Sequence, residues 1–316
     1  MKLHVVFNSA LIAAIVSICP ASAAENELTL SAVSVQDNVY SIISPHYGRP
    51  TEDNWGWNSN SHFVVTNDGV LVVDTGSSSI IGKAIIEAVK SVTDKPIRWV
   101  VNSHSHADHW LGNQAFAALG AEIISTPTSL ATMKIDGEMD VKAFSRMTNG
   151  KTGSPKLTYP THFIPRNQSR MFGEVEVQFL LSGDGHSPGD LLLWLPQQAI
   201  VIGGDNMNSQ WLPIMTPRGD VPHLIKTLEH VASLEPKYVL TGHGDITNLD
   251  SIVRDIQFLT RAWDSIVSAV KRKESLTDIQ LKIRGTLAPL YQMQYQDFDS
   301  SIEYFVEMMV QKQTHS

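Results

Sequence analysis

Residues 101–114 read VNSHSHADHWLGNQ and place three histidines and an aspartate within six positions, directly behind an apolar run. That run, IRWVV at residues 97–101, has the β-branched and aromatic composition of a strand. Side chains two positions apart in an extended segment point the same way, so His104 and His106 are expected on one side. Asp108 and His109 follow where the chain is predicted to turn into a helix, and they present donors from the other side of the bend. Imidazole and carboxylate groups clustered without thiolate are typical of a zinc site.

Apolar periodicity predicts a mixed α/β chain around this bend. Residues 62–76 form two short strands joined by Asn67-Asp68-Gly69, which is a strong hairpin signal. Residues 79–92 carry apolar side chains at helical spacing, and residues 107–119 are predicted to form a helix that Gly120 ends. A second hairpin at residues 190–205 and a strand at 237–243 follow later in the chain.

Two regions extend this α/β pattern. Residues 126–167 are polar and show no long period, so we interpret them as an insertion with one helix and a loop, able to act as a lid. Residues 249–316 have a helical pattern, with predicted breaks at Gly285 and Pro289. Residues 24–316 are therefore expected to form one domain with a helical C-terminal part.

The first 23 residues have the organisation of a secretory signal peptide. Lys2 precedes an apolar stretch that ends near Ile18, and small residues follow at Ala21 and Ala23. The stretch is too short and too interrupted for a membrane span, and the large Ile18 argues against a lipid anchor on Cys19. The mature chain, residues 24–316, is therefore predicted to be periplasmic or secreted without a stable membrane anchor. Cys19 is the one cysteine, so removal of the signal leaves no thiol for a disulfide, a nucleophile or a metal ligand.

Three further donors occur among small residues at predicted strand ends. His186 lies in SGDGHSPGD, Asp205 ends AIVIGGD, and His243 lies in YVLTGHGD. Loops at strand ends can direct side chains from distant parts of the sequence into one cleft. With the four donors of the bend, these residues provide enough ligands for two metal ions.

The ordered set H-x-H-x-D-H, later His, later Asp and later His resembles the metallo-β-lactamase superfamily. The likeness runs from about residue 33 to residue 245 and includes VLVVDTG and GHSPGDLLLWLP. It implies an α/β fold, the four-layer αββα sandwich, with extra C-terminal helices and two Zn²⁺ ions per chain. By this resemblance each ligand has a role: His104, His106 and His186 hold the first zinc, Asp108, His109 and His243 hold the second, and Asp205 bridges them. Asp74 of VLVVDTG would orient the histidine loop by hydrogen bonding.

Asp205 distinguishes this chain from several β-lactamase branches. Two of them place a cysteine ligand at that position and a third has no metal-binding aspartate there, whereas glyoxalase II-like branches carry the bridging aspartate. Together with the signal-peptide pattern, the resemblance thus predicts an exported dizinc hydrolase that opens an amide, lactam, lactone or ester carbonyl, with β-lactams among the candidate substrates. Asp108 is the predicted catalytic residue, because it would align the water that the two zinc ions activate.

Residues on the substrate side are predicted from their places next to the ligands. Trp55 and Trp57 lie in a polar, turn-rich stretch and could form an apolar wall over the metals, or pack on the core under a loop. Asn206, Trp211 and Arg218 follow the bridging aspartate and are expected to face the substrate.

Other functions stay open at this point. The same dizinc site could serve a phosphodiesterase or nuclease, although a formal net charge of −8 disfavours a nucleic-acid partner. A non-catalytic exported metal-binding or relay protein, or an iron-dependent oxidase, would use similar ligands. The expected partner is a small-molecule substrate rather than nucleic acid, and the sequence does not set the oligomeric state.

Overall fold

The computed structural model describes residues 28–45, 49–213 and 216–314, so the predicted signal peptide, residues 1–23, lies outside the described residues. Within those ranges the strands form two sheets. The strands of the first sheet lie side by side in chain order: β1 (Val33–Gln36), β2 (Val39–Ile42), β3 (Ser61–Val65), β4 (Val70–Val73), β5 (Ile97–Val101), β6 (Glu122–Ser125) and β7 (His162–Phe163). The strands of the second sheet also lie side by side in chain order: β8 (Gln168–Phe172), β9 (Val175–Gly183), β10 (Asp190–Leu195), β11 (Ile200–Asn208) and β12 (Tyr238–His243).

Strand β10 shows why the two sheets stack face to face. All six of its residues are buried, and successive side chains of a strand point to opposite faces. Leu191, Leu193 and Leu195 join the apolar core between the sheets. Leu192 and Trp194 join a second core between this sheet and the C-terminal helices. A strand that is apolar on both faces must be covered on both faces, which produces a layered sandwich.

Helices cover the outer face of each sheet. Helices α1 and α3 pack on the first sheet, α5 to α8 pack on the second, and α2 with α4 forms a smaller cluster beside them. Their bounds are α1 (Ser79–Lys90), α2 (Ala107–Trp110), α3 (Asn113–Ala117), α4 (Pro127–Met147), α5 (Val221–Ser233), α6 (Leu249–Lys271), α7 (Leu276–Tyr291) and α8 (Phe298–Thr314). The predicted αββα architecture with extra C-terminal helices is confirmed. No helix in the described part of the chain has the length and apolar character to cross a membrane.

Parallel strand pairs determine where the loops meet. Strands β4, β5 and β6 run parallel, so the loops after β4 and β5 leave the first sheet at the same edge. Strands β11 and β12 are also parallel; β11 carries Asp205 in its C-terminal half, and β12 ends at His243. Because ligands bind beyond the carboxyl ends of parallel strands, this edge is the natural place for a site.

The prediction of one continuous helix over residues 107–119 was wrong. The structure has two short helices, α2 and α3, with a break at Leu111 and Gly112. Backbone groups of this segment form hydrogen bonds with the turn after β4. Thr75 N donates to His109 O at 2.9 Å, and Gly112 N donates to Gly76 O at 2.9 Å. The backbone of the bend is therefore tied to the neighbouring turn instead of continuing a helical ladder.

The predicted helix breaks at Gly285 and Pro289 were also wrong, because both residues lie inside α7. A glycine and a proline in a helix interior cost about 1 and 3 kcal/mol of helix stability. Burial of Ile279, Ile283 and Leu287 on one face of α7 contributes roughly 1.5–3 kcal/mol for each side chain and outweighs that cost. The C-terminal part breaks instead at residues 272–275 and 292–297.

The predicted insertion, residues 126–167, contains one helix as expected. Helix α4 begins after its N-cap Thr126, whose side chain accepts from Ser129 N, and a loop follows it. The segment ends in the short strand β7, which adds to β6 at the edge of the first sheet. Its role as a lid stays a prediction.

Candidate metal centre

The seven predicted metal ligands converge at the edge where the two sheets meet. Four come from the bend after β5, and one each comes from the β9–β10 loop, from β11 and from the end of β12. They form two groups whose ligand atoms lie within 4.8 Å of one another: His104, His106, His186 and Asp205 in the first, and Asp108, His109 and His243 in the second. Apart from His106, which is half-buried, all of these residues are buried.

The first group directs three imidazole nitrogens at one point. His106 Nδ1 lies 3.0 Å from His104 Nε2 and 2.8 Å from His186 Nε2. Oδ2 of Asp205 lies 3.6 Å from His104 Nε2 and 3.4 Å from His186 Nε2. Ligands of a tetrahedral ion with bonds of 2.0–2.1 Å are separated by about 3.3 Å, so this spacing suits Zn²⁺.

The second group lies against the other carboxylate oxygen of Asp205. Its Oδ1 lies 3.2 Å from His109 Nε2 and 3.3 Å from His243 Nε2. Asp108 Oδ2 lies 3.7 Å from His109 Nε2 and 3.5 Å from His243 Nε2. Asp205 thus presents one oxygen to each group, which is the arrangement of a carboxylate that bridges two cations.

The hydrogen bonds of His109 and His243 indicate that the Nε2 atom of each ring needs a proton or a cation beside it. His109 Nδ1 lies 2.8 Å from Asp74 Oδ2, and His243 Nδ1 lies 2.7 Å from the carbonyl oxygen of Asn58. Both oxygens only accept, so each Nδ1 carries a proton and each Nε2 is left to face Asp205. Within the described residues, His109 Nε2 and Asp205 Oδ1 are buried without a hydrogen-bond partner. A lone pair facing a carboxylate oxygen is repulsive unless a proton or a metal ion lies between them, so the donor set fits a divalent cation.

The electrostatics of the two groups differ. Burial holds the pKa of His104 well below its usual value, with His109 lowering it further, and burial also lowers the pKa of His106. Burial opposes a charge on His109 and His243, but Asp205 raises the pKa of both. Burial likewise opposes a charge on Asp205, yet the histidines around it hold its pKa well below its usual value. The first group therefore offers neutral imidazoles, while in the second group a proton and a metal ion compete for the same nitrogen atoms.

Asp74, predicted to orient the histidine loop, lies directly beneath that loop. Its Oδ1 accepts from Ser103 N and its Oδ2 from Ser103 Oγ, each at 2.7 Å, besides the contact with His109 Nδ1. Asp74 has a φ of 64°, which is unusual for a residue with a side chain. These bonds fix the tautomer of His109 and the start of the bend.

Asn58 is a supporting residue that the sequence did not reveal. Its carbonyl oxygen accepts from His243 Nδ1 at 2.7 Å, and its side-chain Nδ2 donates to Asp108 Oδ2 at 2.8 Å. Ser59 Oγ donates to the carbonyl oxygen of Asp108 at 2.5 Å. The β2–β3 connection therefore orients two of the three residues of the second group.

Asp190 supports His186 from the opposite side. Its Oδ2 accepts from the backbone amides of His186 and Ser187, each at 2.8 Å, and from Asn206 Nδ2 at 3.1 Å. The amide of Asn206, predicted to face the substrate, is thus buried between Asp190 and Ser182 Oγ, which donates to Asn206 Oδ1 at 3.2 Å. Its contact with a substrate stays a prediction that these bonds do not support.

The other predicted substrate contacts are distributed around the molecule. Trp55 and Trp57 are half-buried and pack on the core between the first sheet and α1, as their alternative interpretation described. The Trp211 ring stacks on that of His243, with centroids 5.5 Å apart and planes at 20°, so it borders the metal centre. The guanidinium of Arg218 forms a two-pronged pair with the Asp136 carboxylate of α4, its Nη2 lying 3.0 Å from Oδ1.

The sequence analysis did not predict the supporting roles of Asn58 and Asp190, which orient the candidate ligands by hydrogen bonding. Asp190 follows His186 within the GHSPGD motif, so its position next to a ligand was visible although its role was not. Asn58 lies 50 residues from Asp108 and 185 residues from His243, and no local pattern marks such distant hydrogen bonds.

Comparisons of the sequence agree with this geometry. The sequence model of the metallo-beta-lactamase superfamily matches residues 54–243, which include all seven predicted ligands. A metallo-beta-lactamase type 2 of Elizabethkingia meningoseptica is 21% identical over 230 residues, covering 72% of this chain and 83% of that protein.

Solved structures show the same fold. A metallo-beta-lactamase from Pontibacter korlensis matches with a TM-score of 0.60 and 16% identity over 73% of this chain and 99% of that one. The stereoselective inverting sec-alkylsulfatase Pisa1 from Pseudomonas sp. matches with a TM-score of 0.64 and 17% identity, over 80% of this chain and 45% of that longer chain. Family match, fold and convergent ligands lead to one conclusion: the chain belongs to the metallo-β-lactamase superfamily.

Proposed function

We propose that this chain is an exported metallohydrolase that binds two Zn²⁺ ions and cleaves an amide, lactam, lactone or ester carbonyl. The observation that carries the proposal is the orientation of Asp205, whose two oxygens face two separate histidine groups. When bound, a pair of zinc ions supplies a water of near-neutral pKa and a Lewis acid for the substrate oxygen. His104, His106, His186 and Asp205 would hold one ion, and Asp108, His109, His243 and Asp205 the other.

The residues of this chain would contribute orientation and proton handling. Asp108 is fixed at Oδ2 by Asn58 and at its backbone oxygen by Ser59, so its carboxylate is available in one orientation to accept a proton from an attacking water. Trp211, stacked beside His243, would exclude bulk water and present an apolar wall to the substrate.

The substrate class is tested by a panel on the purified signal-free protein. The panel contains nitrocefin, simple lactones and aryl esters, together with bis-p-nitrophenyl phosphate and a secondary alkyl sulfate. Metal content is measured on the same samples. Turnover of the carbonyl substrates by protein with two zinc equivalents is the expected result. Hydrolysis of the phosphodiester or the sulfate alone would reject the carbonyl specificity, and two bound zinc ions without turnover of any substrate would favour a metal-binding or relay protein.

Variants test whether the metal centre performs the reaction. Asp108→Ala should lower kcat/KM by about 10²–10⁴-fold, the usual contribution of a proton-transfer group, and Asp205→Asn should also lose bound metal. His230→Ala, at an exposed histidine of α5, is the matched control and should behave as wild type. Full activity in Asp108→Ala would reject the mechanism. If protein purified from its own host contains iron and its turnover depends on oxygen, the result would reject hydrolysis in favour of an iron-dependent oxidation.

Export is the second part of the proposal. It is supported by the signal-peptide pattern of residues 1–23. Expression of the full chain followed by fractionation and N-terminal sequencing should give a periplasmic or secreted protein that begins near residue 24. A protein that keeps Met1 and stays in the cytoplasm would contradict export.

A further inference from the structure

Helices α6 to α8 lie beyond the residues that match the superfamily, which end at residue 243. They nevertheless contact the loop that follows β11, residues 209–220, here called the β11 loop. This loop has no strand or helix of its own in its described residues, 209–213 and 216–220. A segment without a backbone ladder depends on its neighbours for a defined conformation.

The β11 loop borders both ligand groups. Near its start, Trp211 stacks on His243 of the second group. Near its end, Thr216 Oγ1 donates to the carbonyl oxygen of His186 at 2.7 Å. The described parts of the loop therefore border the metal centre, the first through Trp211 and the second through Thr216.

The turn between α7 and α8 holds the residues on both sides of Trp211. The amide of Leu212 donates to Asp297 Oδ1 at 2.8 Å, and the amide of Gln296 donates to the carbonyl oxygen of Gln210 at 2.8 Å. Arg254 of α6 adds a bond of 2.7 Å from Nη1 to the carbonyl oxygen of Ser209. The backbone of residues 209–212 is thus fastened by three contacts from the C-terminal helices.

Helix α8 fastens the other end of the loop. Lys312 Nζ lies 3.2 Å from the carbonyl oxygen of Pro217 and also donates to the carbonyl oxygen of Gly219. Both carbonyls lie next to the segment that contacts His186. An ammonium group has three donors and no acceptor, so it is suited to hold two carbonyl oxygens at once.

We propose that the C-terminal helices position the substrate wall of the metal centre, with Asp297 and Lys312 as positioning residues that keep the β11 loop against His243 and His186. The helices then serve the site as well as the outer core of the second sheet. The predicted effect on catalysis rests on the proposed hydrolase function, whereas the effect on the loop itself does not.

Hydrogen–deuterium exchange tests the loop without any substrate. In Asp297→Ala, peptides that cover residues 209–213 should exchange at least about tenfold faster than in wild type, because Leu212 N loses its acceptor. Asp297→Asn keeps an oxygen at that position and should restore slow exchange. Lys312→Met should accelerate exchange in residues 216–220. The controls are Asp264→Ala and Lys271→Met, which remove the same charges from exposed positions of α6 and should leave the loop unchanged.

The side chain of Asp297 also forms a hydrogen bond with Ser301 in the first turn of α8. Substitution of Asp297 therefore affects the start of that helix as well as the β11 loop. If Asp297→Ala does not fold, Lys312→Met provides the test, because it removes no helix cap. Unchanged exchange of residues 209–220 in both variants would overturn the proposal. Faster exchange spread over all of α6 to α8 would overturn it too, because it would show a loss of general stability.

Kinetics extend the test once a substrate is found. Asp297→Ala should raise KM about 5–10-fold with kcat and metal content near wild type, and this effect should vanish in a Trp211→Ala background. Additive effects of the two substitutions would contradict positioning through Trp211. Absence of any hydrolysis would reject the proposed function while the exchange data still decide the positioning role.

Discussion

Asn58 forms hydrogen bonds with two candidate ligands. Its backbone carbonyl oxygen accepts from His243, and its side-chain amide donates to Asp108. Substitution of the side chain affects only the second of these bonds. It therefore separates the orientation of Asp108 from the tautomer of His243, which the carbonyl oxygen fixes. Partners of this kind typically contribute 10–100-fold to metal affinity or activity.

Asn58→Ala should accordingly lower kcat/KM about 10–100-fold on whichever substrate the panel identifies, because Asp108 loses the side-chain donor at its Oδ2 and can rotate away from His243. The affinity for the second metal equivalent should fall over the same range, measured by competition with a chromogenic chelator. Asn67→Ala, at an exposed residue of the β3–β4 turn, is the control. Equal metal affinities for Asn58→Ala and wild type would show that the bond is incidental.

The sequence predicted ligands better than it predicted their supports. His104, His106 and His109 are close in the chain, and their spacing alone indicates a metal site. Asn58 could not be predicted, since its bonds depend on a loop folding across two sheets. The same limit applies to Trp55 and Trp57. Residues 54–62 show no hydrophobic periodicity, so the sequence does not distinguish a tryptophan packed on the core from one that lines the substrate site.

At the scale of elements, glycines set how closely α1 can approach the bend. A Cβ added to Gly82 would lie 2.7 Å from the carbonyl oxygen of Gly112, and one added to Gly112 would overlap the carbonyl oxygen of Thr75. Both neighbours are backbone atoms, which cannot move aside as a flexible side chain can. The close approach explains why the bend splits into α2 and α3, a feature that helical periodicity alone could not predict.

Gly112→Ala should therefore destabilise the protein by about 3 kcal/mol, the upper range for an overpacked core position, as measured by urea unfolding. Gly285→Ala is the matched substitution in α7, where a Cβ meets nothing within 4 Å. It should stabilise the protein by about 1 kcal/mol through helix propensity. A destabilising effect of the same size at both positions would refute the argument from close approach.

Helix α6 meets the turn between α7 and α8 at an ion pair between two of its own residues, Arg254 and Asp255. Asp255 lies 2.8 Å from Arg254 Nη2 and accepts from Tyr295 Oη at 2.7 Å. Burial raises the pKa of Asp255 to about 6, although Arg254 and Tyr295 lower it in part. The folded state thus binds a proton at this carboxyl more tightly than the unfolded chain does.

A raised carboxyl pKa gives a defined sign to the pH dependence. The stabilising effect of the bound proton is complete below the unfolded pKa of 3.8 and is lost as the pH rises through about 6. The free energy of unfolding of wild type minus that of Asp255→Asn should therefore fall by about 2 kcal/mol between pH 4 and pH 6.5. Urea unfolding with a chelator present measures this difference, and Asp264→Asn, at an exposed position of the same helix, is the control substitution. A difference that rises with pH would mean that Arg254 controls the ionisation of Asp255.

At the scale of the whole molecule, the candidate metal centre lies where the two sheets meet. His104 to His109 extend from β5 of the first sheet, whereas Asp205 and His243 belong to β11 and β12 of the second. The layered fold could be predicted because the order of the ligands in the sequence resembles that of the metallo-β-lactamase superfamily, and the resemblance implies the sandwich. The contacts of α6, α8 and the turn before α8 with the β11 loop could not be predicted, because they join backbone atoms of the loop to single polar side chains.

Removal of metal should therefore weaken the junction of the sheets. Without a cation, the carboxylates of Asp108 and Asp205 both lie within 3.5 Å of His243 Nε2 and repel each other. A ligand present at 100 times its dissociation constant stabilises the folded state by about 2.7 kcal/mol, so a chelator should lower the melting temperature by roughly 5–10 °C and added Zn²⁺ should restore it. Asp205→Asn should respond much less, because it loses a ligand of both ions. The same melting temperature before and after verified metal loss would show that the two sheets hold together independently of the centre, and that its residues act in chemistry alone.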